Sequence, residues 1–162
     1  MCVSKALTGG LLPFAATLAT ESLYDRFRGD LSRAVMHGHT YTGNPLGAAV
    51  ALETLNVFDD ERVLEQMPPR CEAVSAAFTA MAAIPGAVRP RALGMIGAID
   101  LGEGGYYGTR GWAVHEAAKT RGVWLRPLGD TVYVVPPRTI SMDDLKEMLD
   151  VVTESVAEVS RV

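Results

Sequence analysis

The sequence predicts an α/β fold in which the end of a large α/β domain is followed by a small α+β domain. The first sixty residues hold a short apolar strand and a helix of small side chains, which need a larger sheet to cover them. The remainder alternates helices and strands and carries enough apolar residues to bury a core of its own. We therefore divide the chain into an incomplete segment, 1–60, and a C-terminal unit, 61–162.

The elements of segment 1–60 follow from its turn residues and apolar runs. Gly9 and Gly10 mark a tight bend after an apolar start, and a polar loop extends to Gly43. Asn44 followed by Pro45 is a helix-start signal, because Asn caps the helix and Pro is tolerated in its first turn. The predicted elements are a strand over Ala15–Thr20, a short helix over Glu21–Arg28, a loop over 29–43 and a helix from Asn44 to about Phe58.

The elements of unit 61–162 are predicted in the same way. Pro68 and Pro69 interrupt the helical period that runs up to Met81, so we expect two helices or a sharp kink there. Ser141 and Asp144 form a capping-box pattern before the last helix. Strands are predicted over Val88–Arg91, Met95–Leu101, Val123–Arg126 and Thr131–Val135, with a helix over Gly111–Thr120.

Composition argues against several classes of function. The net charge of −4 over 162 residues, without an arginine cluster, gives no reason to expect a nucleic-acid partner. The apolar run Leu11–Thr20 is too short to span a bilayer and lacks a signal-peptide cleavage pattern. Cys2 and Cys71 form no metal spacing and no disulfide framework, and His37 with His39 lacks a third ligand. We expect a cytoplasmic protein without a metal site or a membrane partner.

Lys5 is the first candidate for chemistry, in the run Ser4-Lys5-Ala6-Leu7-Thr8-Gly9-Gly10. At the end of an apolar strand we expect it to be buried, and burial favours the neutral amine. A neutral amine can form a Schiff base with an aldehyde cofactor. The alternative is a surface lysine beside a glycine turn, which is the commoner case for a lone lysine next to two glycines.

Two further motifs accompany this lysine. The first is Met36-His37-Gly38-His39-Thr40-Tyr41-Thr42-Gly43-Asn44-Pro45-Leu46-Gly47, which resembles the loop-then-helix signature of class III (ornithine-type) aminotransferases, in order and in spacing from the lysine. The second is Gly122-Val123-Trp124-Leu125-Arg126-Pro127, followed by Val132-Tyr133-Val134-Val135-Pro136-Pro137. It resembles the C-terminal signature of the family members that act in biotin synthesis. The resemblance covers essentially the whole chain, as the last third or so of a family member.

The resemblance implies a fold, a cofactor and a set of site residues. The fold is the type I fold of pyridoxal-phosphate-dependent transferases, and the cofactor is pyridoxal 5'-phosphate. Lys5 would carry the cofactor and act as the catalytic proton shuttle. Thr40 would donate its hydroxyl to the cofactor phosphate across the interface of a homodimer. Arg126 would clamp the substrate carboxylate with its planar fork, and Gly38 and Tyr133 would belong to the same substrate site.

Each of these residues, taken alone, also has a purely structural interpretation. Thr40 can be a turn hydroxyl, Arg126 a surface charge at a strand end and Tyr133 a core residue. We expect His115, on a helix among alanines, to be packed or exposed rather than functional. Trp124 is expected to be a packing residue beside the pocket.

The reaction that the resemblance implies is the transfer of an amino group to 8-amino-7-oxononanoate, which yields 7,8-diaminononanoate for biotin synthesis. S-adenosylmethionine is the implied amino donor, although some relatives use lysine. Two alternatives stay open. One is another class III ω-amino-acid transaminase with a different acceptor, and the other is a non-catalytic, truncated remnant that persists as a folded piece.

The sequence departs from the family pattern in three places. Four residues precede Lys5, whereas family members carry a phosphate-binding helix end and a ring-nitrogen aspartate before that lysine. We therefore expect the chain to start in the middle of a fold and to be catalytically incompetent by itself. His39 replaces a proline common before the threonine, and Pro68 with Pro69 interrupts a helix that is usually continuous.

Overall fold

The computed structural model describes residues 1–160. The chain forms two compact units, one from Met1 to Arg62 and one that begins at Val63. Buried apolar side chains of the described residues are concentrated in the second unit. Within residues 1–160, no helix is both long and apolar enough to cross a membrane.

The first unit begins with a minimal pair of antiparallel strands. β1 (Cys2–Val3) pairs with β2 (Ala16–Thr17). Between them a 3₁₀ turn spans Lys5–Thr8 and ends at Gly9, whose φ of 60° is left-handed and therefore favours glycine. The predicted bend at the glycine pair is confirmed, and it returns the chain to pair with its own start.

The segment after this bend is less regular than the sequence predicts. β2 covers two residues of the strand expected over Ala15–Thr20. The predicted short helix is divided into α1 (Glu21–Tyr24) and a 3₁₀ turn over Asp25–Phe27, and the predicted loop contains a further 3₁₀ turn over Leu31–Arg33. The strand prediction was too long because an apolar run gives no information about where its pairing partner ends.

The long helix of the first unit, α2 (Pro45–Asp60), begins as predicted. Asn44 caps it, since its Oδ1 accepts a hydrogen bond of 3.1 Å from the Leu46 N–H, and a proline occupies the first position. The small residues of α2 allow close packing, because a Cβ on Gly47 would lie 2.6 Å from the Phe14 ring.

The second unit is built on a three-stranded antiparallel sheet. Its strands, β3 (Ala87–Leu93), β4 (Ile96–Leu101) and β5 (Thr131–Val134), lie in the order β3-β4-β5. One extra residue between Val88 and Arg91 forms a β-bulge in β3.

Three helices enclose the core with this sheet: α3 (Met67–Ala80) packs on β3 and β4, α4 (Arg110–Lys119) on β5, and α5 (Met142–Val159) on α3 and α4. Phe78 packs directly on Gly97 of β4, where a Cβ would overlap the ring. The other fully buried apolar side chains of this core are Val74, Met81, Ile99, Val114, Val132, Leu145, Val152 and Val156.

The helix ends of the second unit match their sequence signals. Ser141 Oγ accepts from the Asp144 N–H at 3.0 Å, which confirms the predicted cap of α5. Pro68 and Pro69 lie in the first turn of α3, and α2 and α3 are two helices separated by residues 61–66. The break therefore precedes the prolines rather than coinciding with them, because prolines near a helix start remove donors that have no helical partner there.

Candidate functional site

Lys5 begins the 3₁₀ turn between the two short strands of the first unit. Its carbonyl accepts a hydrogen bond of 3.0 Å from the Gly10 N–H, and Thr8, which is fully buried, donates to the Leu12 carbonyl at 2.6 Å. These bonds fix the backbone of the turn. The Lys5 side chain is exposed, which corrects the expectation that it is buried. The reason is geometric, since β1 ends before Lys5 and the turn buries Thr8 instead.

An open cleft in the first unit brings Lys5 and the polar loop together. Its walls include Lys5, His37, His39, Tyr41 and other residues of the 4–17 and 37–44 segments. Both glycine-rich motifs of the first unit therefore contribute to one concave surface. The cleft holds an amine, two imidazoles and several hydroxyl groups, which are suitable donors for an anionic ligand.

Gly38 and Thr40 belong to this loop, and both are exposed. The Thr42 N–H donates to the His39 carbonyl at 2.9 Å, which places Thr40 at the corner of a turn. The His39 ring stabilises the same turn, because its Nδ1 accepts a bond of 3.2 Å from the Tyr41 N–H. The histidine that replaces the family's proline thus closes the loop with a side-chain hydrogen bond.

Arg126 and Tyr133 flank a turn of the second unit. Tyr133 lies in β5 opposite Ala98, half-buried, whereas its neighbours Val132 and Val134 face the core. Arg126 is exposed. The segment Val123–Arg126 is not a strand, contrary to the prediction. Its apolar residues are typical of a strand, but the segment follows the end of α4 and joins no ladder.

Hydrogen bonds to α4 hold the Arg126 segment at both ends. On one side the Val123 N–H donates to the Ala118 carbonyl at 3.1 Å, with Gly122 in a left-handed conformation, which is a Schellman helix end. On the other side, Asp130 accepts from the Arg110 N–H at 3.0 Å. The turn therefore begins and ends on the same helix.

A glycine-rich loop packs against the turn that follows Arg126. The Asp130 N–H donates to the Gly105 carbonyl at 2.9 Å, and the Gly111 N–H donates to the Gly129 carbonyl at 3.2 Å. Gly129 has a φ of 57°, and a Cβ there would overlap the backbone of the opposing loop. Glycine is thus required at this position for both conformation and close approach.

His115 of α4 is packed, which is one of the two outcomes expected for it, but its contact with the Arg126 segment was not predicted. It is 3% exposed, and its Nδ1 lies 2.6 Å from the Leu125 carbonyl oxygen. Trp112 and Trp124 approach the ring edge-on, with centroid distances of 5.4 and 4.8 Å. The sequence does indicate that Trp112, His115 and Lys119 share one face of α4, because they lie three and four residues apart. Trp124 packs on His115 through one edge of its contact surface, but it is 74% exposed and is therefore not the core packing residue that the sequence suggested.

The strongest electrostatic feature of the second unit is a buried carboxylate, Asp100. Arg89 and Arg91, brought side by side by the bulge, bond its oxygens at 2.8–3.0 Å, and Thr131 Oγ1 donates at 2.6 Å. Burial alone would raise the pKa of Asp100, but the bonds from Arg91, Thr131 and Arg89 together outweigh it and lower the pKa to about 2. This cluster joins β3, β4 and β5. Among residues 1–160, no group of three potential metal ligands occurs.

Comparison with known families and proteins gives a consistent result. The model of the aminotransferase class-III family matches residues 1–156. The chain is 36% identical over 170 aligned positions to the adenosylmethionine-8-amino-7-oxononanoate aminotransferase of Aquifex aeolicus, covering 99% of this chain and 38% of the relative. It is 37% identical to the enzyme of the same name from Synechococcus elongatus, covering 98% and 38%. The chain thus spans 38% of the length of these relatives.

Solved structures share the fold. The adenosylmethionine-8-amino-7-oxononanoate aminotransferase of Methanocaldococcus jannaschii superposes with a TM-score of 0.88 at 33% identity, over 97% of this chain and 38% of that one. A thermostable omega transaminase superposes with a TM-score of 0.86 at 24% identity, over 99% and 38%, which establishes likeness of fold alone. The predicted α/β aminotransferase fold is confirmed.

Proposed function

The chain belongs to the class III aminotransferase family, and on that basis we propose that it is the C-terminal part of an aminotransferase that acts on 8-amino-7-oxononanoate. The product is 7,8-diaminononanoate, and the proposed amino donor is S-adenosylmethionine. The observation that carries the proposal is the joint presence in this chain of Lys5 with its loop and of the Arg126–Tyr133 signature, together with 36–37% identity to relatives that bear that enzyme's name. The family depends on pyridoxal 5'-phosphate.

The residues of the first unit fit this cofactor. Lys5 offers a primary amine at the edge of an open cleft, on a turn whose backbone is fixed by hydrogen bonds. When bound, the cofactor supplies an electron sink for the bond that breaks at the amino-bearing carbon. Lys5 holds the cofactor through its Nζ and then carries the proton that leaves that carbon.

Thr40 is proposed to bind the cofactor phosphate in a homodimer, in the site of the partner subunit. Its position at the corner of an exposed turn supports this role, because a corner hydroxyl can project away from its own chain. Gly38 lies in the same loop and is proposed to contact the substrate with its backbone.

Arg126 is proposed to bind the carboxylate of the acceptor, and Tyr133 to line the same pocket. A guanidinium donates two parallel hydrogen bonds to a carboxylate, which a lysine cannot reproduce. Arg126 is exposed on a turn held at both ends, so its fork is available and its backbone is fixed. We also propose a cytoplasmic location, in keeping with the free thiols of Cys2 and Cys71.

The attachment of the cofactor at Lys5 is tested by borohydride reduction of the full-length holoenzyme. We expect the pyridoxyl label on the Lys5 peptide by mass spectrometry, and we expect Lys5→Ala to lose the label and about 10²–10⁴-fold or more of its turnover. Lys146→Ala, which removes an exposed lysine of α5, is the matched control and keeps both. A label on any other lysine contradicts the assignment.

The acceptor is tested by a substrate panel on the same holoenzyme. We expect the highest kcat/KM with 8-amino-7-oxononanoate. A preference for 4-aminobutyrate-derived or ornithine-derived acceptors would instead favour the ω-amino-acid transaminase alternative. The donor is tested in parallel with S-adenosylmethionine and lysine at equal concentration.

The 162 residues expressed alone are proposed to be catalytically incompetent. They carry Lys5 and Arg126, but only four residues before Lys5, whereas the phosphate-binding and ring-binding groups of the family precede that lysine. Turnover above one thousandth of the full-length rate would refute this proposal. The alternative of a non-catalytic, truncated remnant predicts that no in-frame coding sequence for those groups lies upstream of Met1, so sequencing that DNA separates the two alternatives.

A further inference from the structure

We propose that His115 is a positioning residue for Arg126, acting through the backbone carbonyl of Leu125. The inference rests on the proposed role of Arg126 as the group that binds the acceptor carboxylate. It assigns to His115 a part in acceptor binding without contact with the acceptor.

The hydrogen bond itself has one possible polarity. A carbonyl oxygen can only accept, so His115 Nδ1 carries the proton that bonds the Leu125 oxygen at 2.6 Å. The Nε2 atom faces the Glu116 carboxylate at 3.6 Å. Because the ring is 3% exposed, the carbonyl that it satisfies is shielded from water at that point.

The ring is also prevented from turning. The rings of Trp112 and Trp124 lie edge-on to the imidazole, with interplanar angles of 77° and 87°. These two aromatic contacts restrict rotation of the His115 ring. The Lys119 amine lies 5.5 Å from the centre of the Trp124 ring and adds a cation–π contact. The residues that hold His115 therefore come from α4 and from the segment that His115 itself holds.

The segment that carries Arg126 joins no β-ladder, so it depends on the hydrogen bond between His115 and the Leu125 carbonyl more than a strand would. Leu125 is buried, whereas Trp124 and Arg126 on either side are exposed. The backbone is anchored at Val123 to α4 and again at Leu128, whose N–H donates to the Thr131 carbonyl at 2.9 Å. The Leu125 carbonyl lies midway between these anchors and immediately before Arg126. Loss of the His115 N–H donor allows Arg126 to move, because its backbone follows the Leu125 carbonyl directly. A displacement of 1 Å in a group that positions substrate costs about 100-fold in catalytic efficiency.

The experiment uses a pair of nearly isosteric variants in the full-length holoenzyme. Asn at 115 can place an amide N–H where Nδ1 lies, and Leu has the same shape without a donor. We expect His115→Leu to raise the KM for 8-amino-7-oxononanoate about 10- to 100-fold. Its kcat at saturation should stay within about threefold of the wild type, since Lys5 is untouched. His115→Asn is expected to stay within about threefold in both constants.

Two further measurements separate positioning from general destabilisation. Nonanoate, a carboxylate without amino or keto groups, is expected to lose competitive affinity in His115→Leu by the same factor as the acceptor. Val152→Ala opens a cavity in α5 and lowers Tm, but it is expected to leave the KM unchanged. If His115→Leu does not fold, His115→Phe retains the ring contacts without the donor and takes its place.

A double-mutant cycle with Arg126→Ala decides the mechanism. We expect no further rise in KM when His115→Leu is added to Arg126→Ala, because the group being positioned is already absent. Additive effects would overturn the inference, as would equal KM values for His115→Leu, His115→Asn and Val152→Ala. If Arg126→Ala alone leaves the acceptor KM unchanged, the proposed role of Arg126 in acceptor binding is refuted, and the inference about His115 is refuted with it. This result is distinguishable from additivity, which refutes the inference about His115 alone.

Discussion

At the scale of single residues, Asp100 is a buried carboxylate of the second unit with several hydrogen bonds. It lies on β4 and receives hydrogen bonds from two arginines of β3 and a threonine of β5, so the cluster joins three strands of the sheet. Such a carboxylate stabilises the fold only while it is ionised, because its partners lose their acceptor when it is protonated. Acid should therefore weaken this unit through a single identifiable group.

The stability of the chain is expected to fall in acid in a way that depends on Asp100. Its folded pKa of about 2 lies below the ordinary value of 3.8, so its contribution is fully present above pH 3.8 and is lost as the pH falls through about 2. The shift corresponds to about 2 kcal/mol. We expect Asp100→Asn to lower the free energy of unfolding at pH 7 and to flatten its decline between pH 5 and pH 2.

Urea denaturation of the 162-residue chain at several pH values measures this effect. Asp150→Asn, which removes an exposed acid of α5, serves as the control and should keep the wild-type slope. Equal slopes for Asp100→Asn and the wild type would show that the cluster does not contribute to acid sensitivity.

At the scale of elements, the packing of α3 on the sheet depends on a glycine in β4. The Phe78 ring occupies the space that a Cβ of Gly97 would need, so the ring lies directly on the backbone of the strand. Core positions of this kind tolerate added volume poorly, because the surrounding side chains are already close-packed.

Gly97→Ala is expected to destabilise the chain by about 1–3 kcal/mol through overpacking against Phe78. In the double variant with Phe78→Leu, the added methyl has room, so the combined loss should be smaller than the sum of the two single losses. Equilibrium denaturation of all four proteins gives the coupling. Strict additivity would mean that the ring and the glycine do not limit each other.

Local signals predicted the element ends well, whereas long-range placement was harder. The caps at Asn44 and Ser141 were confirmed because a cap involves residues three or fewer apart. The strand prediction over Val123–Arg126 was wrong, since a short apolar run does not reveal whether a neighbouring strand exists to pair with.

The candidate site shows the same division between local and long-range information. Motifs identified Lys5 and Arg126 by their neighbours in sequence. Burial of Lys5 was predicted incorrectly because it depends on what packs around a two-residue strand. The contact of His115 with Leu125 was not predicted, because the two residues lie ten positions apart across a helix end. Motifs thus identified candidate residues from their neighbours in sequence, whereas contacts between distant residues became visible only in the structure.

At the scale of the whole molecule, the two units differ in how they are stabilised. The second has a continuous core that extends from α3 to α5. In the first, the largest apolar side chains are mostly exposed, among them Leu11, Leu31, Met36 and Leu46, each at 70–79%. A unit with little buried apolar area has little to offset its conformational entropy.

Limited proteolysis of the 162-residue chain should reveal this difference. We expect trypsin to cut within the first unit and near Arg62, and to leave a resistant fragment that begins close to Val63. Mass spectrometry of the fragments over time identifies the boundary. Equal rates of cleavage in both units would contradict the expectation. A parallel digest with chymotrypsin, which cuts at different residues, controls for the positions of the lysines and arginines.

The turn that carries Arg126 has a consequence for how this protein family can change. Its supports, from Gly105 and Arg110 through His115 to Asp130 and Thr131, come from one uninterrupted stretch of chain. A single genetic exchange of residues 105–131 would transfer the guanidinium together with the hydrogen bonds that support it. Under the role proposed for Arg126, acceptor preference would be inherited with this one segment, separately from Lys5, the proposed cofactor lysine.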